Sequence, residues 1–71
     1  MKYSPEIIGN KIKEQRTMKK WSQDTLGKKL NLSGKQISNY EKAILTPPID
    51  ILFKLCEIFN CELGFLLGED N

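Results

Sequence analysis

An all-α fold of five short helices is what this sequence predicts, and three observations point there. Apolar residues recur at helical spacing, helix-capping residues stand where the periodic stretches begin, and no segment alternates apolar with polar over the length of a strand. Seventy-one residues make room for one domain, residues 1–71, near the lower limit of independent folding, so any function must lie on its surface.

Ser4-Pro5 is an N-cap followed by proline at the first helical position, and Ile7, Ile8, Ile12 and Gln15-Arg16 continue at helical spacing. They predict a first helix from about Pro5 to Met18. Ser22 caps a second, short helix from Gln23 to about Lys29, with Asp24 favourable near its positive end and Leu26 and Leu30 turned inward. Asn31-Leu32-Ser33 breaks the pattern, and Ser33-Gly34-Lys35-Gln36 fits the Ser-x-x-Gln capping box that opens a third helix, about Gly34 to Lys42. Within it only Ile37, Tyr40 and Glu41 can face the protein, which leaves Gly34, Lys35, Ser38, Asn39 and Lys42 outside.

Thr46-Pro47-Pro48 closes the next loop, because paired prolines disfavour helix before them. A fourth helix follows from about Ile49 to Phe59, with Ile51, Leu52, Leu55, Cys56 and Phe59 as its buried stripe. A fifth spans about Glu62 to Leu67, bounded by Asn60 and Gly68.

Composition excludes several function classes. No apolar run approaches the roughly 20 residues of a membrane span, and no apolar signal core follows Lys2, so the protein is expected in the cytoplasm. The two cysteines, Cys56 and Cys61, cannot complete a zinc site in a chain without histidine; a disulfide staple is the alternative, but in a reducing compartment they are expected as buried free thiols. An enzyme is not expected, since histidine, a metal-ligand cluster and a glycine-rich phosphate loop are all missing. No cofactor or small-molecule ligand is implied.

The net charge of +2 hides an asymmetry. Through Lys42 ten basic residues face four acidic ones, a balance of +6, while from Ala43 onward one base faces five acids, a balance of −4. Such a molecule suits a polyanion on one side only.

Two short helices joined by a three-residue turn, the second with an exposed polar face, have the proportions of a DNA-reading helix-turn-helix. The stretch from Ser22-Gln23-Asp24-Thr25-Leu26-Gly27 through Ser33-Gly34-Lys35-Gln36-Ile37-Ser38-Asn39-Tyr40-Glu41-Lys42 resembles the core of the lambda-repressor-like family, with its Cro and XRE-type transcriptional regulators. The resemblance extends to Ile8-Gly9-Asn10-Lys11-Ile12-Lys13, to Pro47 and Pro48, to Leu52-Phe53-Lys54-Leu55-Cys56 and to Leu66-Leu67-Gly68, and so covers nearly the whole chain.

That resemblance implies a compact five-helix fold whose third helix enters the major groove of double-stranded DNA, usually as a homodimer on a pseudo-palindromic operator. Matching positions make Lys35, Ser38 and Asn39 groove-facing base readers, with phosphate binding the alternative for Lys35. Gln23 is implied as a phosphate contact that can brace a base-reading side chain, and Ser33, Gly34, Gln36 and Lys42 as further phosphate or bracing positions. Arg16 and Glu41 match a structural ion pair between the first and third helices, and Trp21 a packing position. Phe65, Leu66 and Leu67 either close the core or meet a second copy.

Two residues depart from the family's pattern. Gly34 stands where many members carry a glutamine that reads adenine, which leaves the operator sequence open. Gly27 replaces the usual alanine inside the second helix, at a cost of roughly 0.5–1 kcal/mol. The family also includes antitoxins and co-regulators that hold a protein partner, the alternative to a repressor. Other members carry a C-terminal dimerisation domain, so Gly68-Glu69-Asp70-Asn71 either ends the protein or enters a linker.

Overall fold

Ser4 Oγ accepts a hydrogen bond from the Ile7 backbone nitrogen at 3.3 Å and Pro5 fills the first helical position, so α1 (Pro5–Met18) begins where chain stiffness and capping coincide. A computed structural model of the protein describes residues 4–69. The other helices in order are α2 (Gln23–Leu30), α3 (Gly34–Glu41), α4 (Ile49–Phe59) and α5 (Leu63–Leu67), with no strand among the described residues.

Each break has a local cause. Asn31 and Asn60 close α2 and α4 in the left-handed region, at φ 62° and φ 55°, a conformation asparagine tolerates better than most residues. Gly68 does the same for α5 at φ 81°. Glu62 has extended backbone and only precedes α5, so that helix begins one residue later than the sequence suggests. Lys42 likewise caps α3 rather than continuing it, and the nitrogens of Ile44 and Leu45 turn back onto the Asn39 carbonyl at 2.9 and 3.2 Å.

The core draws on every helix. Ile8 and Ile12 of α1, Leu26 and Leu30 of α2, Ile37 and Tyr40 of α3 and Leu66 of α5 close around Ile51, Leu52, Leu55 and Phe59 of α4. Trp21 stacks beside Phe59, with ring centroids 6.3 Å apart. Cys56 and Cys61 are free thiols, but both are half-buried, Cys56 at the margin of the α4 stripe rather than within it. No described helix is long and apolar enough to cross a membrane.

Candidate nucleic-acid interface

The connection between α2 and α3 is tight enough to seat one helix on the other. The Leu32 nitrogen donates to the Gly27 carbonyl at 2.7 Å, which folds the turn against the body of α2. A Cβ on Gly27 would stand 2.6 Å from the Leu32 oxygen and 3.0 Å from the Ser33 carbonyl carbon. Backbone cannot yield as a side-chain tip can, so this glycine is what lets the turn approach. The sequence-based expectation that Gly27 merely weakens its helix relative to alanine is therefore corrected by the packing.

Ser33 and Gln36 cap α3 reciprocally. Ser33 Oγ accepts from the Gln36 nitrogen at 3.1 Å, and Gln36 Oε1 accepts from the Ser33 nitrogen at 3.2 Å. These contacts engage the oxygens of both side chains and set the start of the helix, leaving the Gln36 amide donors for an external acceptor. Beyond the cap, Lys35 and Lys42 are exposed, whereas Ser38 and Asn39 are half-buried and present only part of their polar surface. Tyr40 is 5% exposed beneath them, and burial, with a smaller effect of Asp50, pushes its hydroxyl pKa up.

At the far end of α3, three helices meet on one carboxylate. Arg16 Nε donates to Glu41 Oε2 at 2.6 Å, Arg16 Nη2 to Glu41 Oε1 at 3.1 Å, and Arg16 Nη1 to the Trp21 carbonyl at 2.7 Å. The Arg16 and Glu41 side chains are only 11% and 3% exposed. Gln23 Nε2 of α2 adds a third donor to Glu41 at 3.1 Å, so this side chain is tied to the protein and its half-buried amide is not a free arm. The chain's single arginine thus lies behind the surface, with each of its three guanidinium nitrogens donating to the protein.

The apolar positions of α5 divide between the two alternatives the sequence left open. Leu66 is 0% exposed, so it closes the core and has no surface for a second copy. Phe65 and Leu67 are half-buried, and Lys11 Nζ lies 4.3 Å from the centre of the Phe65 ring. Besides Ile7 and Met18 of α1, at 41 and 70% exposure, the open apolar side chains are Ile44 and Leu45 after α3 and Ile49 and Phe53 on α4, at 65, 46, 58 and 54%. Spacing of four residues puts Ile49 and Phe53 on one helical face, a signal the sequence carried beside the more regular core stripe. Among the described residues no group of three or more His, Cys, Asp or Glu side chains could hold a metal ion.

Comparison with known proteins decides the family. A model described as helix-turn-helix matches residues 12–66. The chain belongs to that helix-turn-helix family. It is 35% identical over 64 residues to the HTH-type transcriptional regulator ImmR of Bacillus subtilis (strain 168), covering 90% of this chain and 50% of ImmR, so it spans about half the length of that relative. Among solved structures it is similar to the P22 c2 repressor in complex with synthetic operator 9T, with a TM-score of 0.82 and 30% identity, over 89% of this chain and 96% of that one. It is also similar to SinR, a master regulator for biofilm formation, in complex with DNA, with a TM-score of 0.76 and 30% identity, over 84% of this chain and 97% of SinR's. The five helices of this chain thus have the architecture of lambda-repressor-like DNA-binding domains. These relatives are transcription regulators and not enzymes, and they do not favour the reading of an antitoxin or co-regulator module.

Proposed function

We propose that this chain is a sequence-specific DNA-binding domain of a transcriptional repressor and reads the major groove with α3. One observation carries the reading: the Ser33–Gln36 capping box sets the start of α3 with Lys35 exposed beside it, in a fold similar to a repressor held on its operator. The N-terminal part of a reading helix is the part that meets base edges. Lys35, Ser38 and Asn39 are the base readers, Lys35 toward guanine and Asn39 toward adenine. Gln23, Ser33, Gly34, Gln36 and Lys42 hold or brace the phosphate backbone, Gln23 mainly through its place on Glu41.

Residues 1–71 act as one domain, in the cytoplasm, on double-stranded DNA. Two copies bind a pseudo-palindromic operator with half-sites about one helical turn apart. Ile44, Leu45, Ile49 and Phe53 are better placed to meet the second copy than Phe65 or Leu67, because they are the more open.

Selection of bound sites from random DNA tests the reading. The wild type should return a two-fold symmetric motif, and Lys35→Ala and Asn39→Ala should each relax one or two base pairs per half-site, by about 1–3 kcal/mol of discrimination at a lost contact. Motifs unchanged in both variants would place base reading elsewhere on the domain.

A further inference from the structure

Gly34 is the first residue of α3, and the space its missing side chain leaves is filled. A Cβ built there would overlap Oδ1 of Asp24, and it would lie 3.0 Å from the Asp24 Cγ and 3.2 Å from the Asp24 backbone nitrogen. Asp24 is the second residue of α2 and is exposed. Among the described residues its carboxylate enters no hydrogen bond and no ion pair. An unpaired acceptor from one helix therefore stands at the tip of the next, beside exposed Lys35, where residue 34 has no side chain to offer.

From this geometry we infer that Asp24 is a specificity residue, which reads in place of position 34 and selects a base pair presenting cytosine. A carboxylate only accepts hydrogen bonds. In the major groove guanine presents two acceptors at O6 and N7 and thymine an acceptor and a methyl group, while adenine presents its N6 amino donor beside the N7 acceptor, so only cytosine offers a carboxylate an amino donor with no acceptor on the same base edge. An acceptor at the tip of α3 thus attracts cytosine and repels guanine, whereas Lys35, a donor only, has the opposite preference. The two residues read neighbouring steps with opposite sign. Asp24 also brings a negative charge to the phosphate-bearing face, which lowers affinity for every sequence alike and leaves the distinction between sites to its base contact.

This inference rests on the proposed reading of DNA by α3, and the experiment separates the two. Site selection and titration would use the full chain as wild type, Asp24→Asn and Gly34→Ala. Asp24→Asn keeps the side-chain shape while adding donors, and Gly34→Ala evicts the carboxylate from its notch while keeping its charge. Wild-type sites should carry a cytosine at one position per half-site, and its replacement should cost about tenfold in affinity. In both variants that same position should fall to less than about a threefold preference while the rest of the motif persists. Affinity for non-specific DNA at low salt should rise for Asp24→Asn only. If the wild type selects a motif that both variants reproduce in full, Asp24 reads nothing. If the wild type selects no motif at all, the reading of DNA by α3 fails and this inference with it.

Discussion

Arg16→Ala should be the most damaging single change of charge in the domain. Glu41 would retain only the Gln23 amide, on a side chain 3% exposed that water cannot screen, and the Trp21 carbonyl would lose its donor as well. Breaking a buried pair by removing one partner costs about 3–5 kcal/mol, because the other charge stays behind uncompensated. The Arg16 side chain is 11% exposed, which favours the low end, about 3 kcal/mol. A domain of this length has roughly 4–10 kcal/mol in all, so a large share of its stability is at stake. With a urea dependence of about 1 kcal/mol per molar, the unfolding midpoint should fall by roughly 3 M. Removing both charges, as Arg16→Met with Glu41→Leu, should recover most of the loss, since apolar side chains of similar size leave no orphaned charge. A midpoint lowered by less than about 0.5 M in Arg16→Ala would refute the reasoning. If operator binding vanished with that midpoint unchanged, Arg16 would be a DNA contact instead.

Lys42→Ala should weaken binding to all DNA sequences about equally and reduce the log–log salt slope by about one, from a starting value near −4 to −5 for about four to six neutralised phosphates; titration at several salt concentrations reads it, and an unchanged slope would remove Lys42 from the interface. Gly27→Ala should destabilise by about 1–3 kcal/mol in thermal or urea unfolding, because overpacking against the Leu32 and Ser33 backbone exceeds the gain in helix propensity of about 1 kcal/mol. A more stable variant would show that the turn can move away. Burial, and secondarily the neighbouring Cys56, pushes the Cys61 thiol up to about 11 from 9.0. A pKa raised in the folded state gives stability that is complete below pH 9 and is lost as the pH climbs toward about 11, so urea midpoints should fall across that window and fall less in Cys61→Ser.

The fold was legible wherever a local signal closed an element. Ser4-Pro5 and Pro47-Pro48 placed the starts of α1 and α4, and the capping box placed α3, because each acts within a single turn of chain. Glu62 was harder, since it precedes α5 without a side-chain cap hydrogen bond to mark where the helix begins. The two glycines of the helix-turn-helix show where a sequence stops speaking. From residue type alone Gly27 is a lost helix former and Gly34 a lost reader. Only the folded backbone shows that one admits the turn and the other admits a carboxylate from α2. Periodicity also divides a helix into inside and outside, so it could not report that Ser38 and Asn39 are half-buried or that Cys56 is at the edge of its stripe.

The position of the sole arginine explains how so small a domain can aim a helix. An eight-residue helix is about 12 Å long and has little intrinsic stability of its own, so its direction must come from its ends. At the start, the Ser33–Gln36 cap and the close seat of the turn on Gly27 hold α3 against α2. At the finish, Glu41 takes donors from α1 through Arg16 and from α2 through Gln23, all shielded from solvent enough to resist screening. Rotation of α3 about its axis would break these charge-assisted bonds, which are stronger and more directional than apolar contacts. Base reading needs side chains held to within about half an ångström. An arginine placed out on the groove face could contact a single base; placed behind α3, this one fixes the direction in which Lys35 and the rest of the helix point.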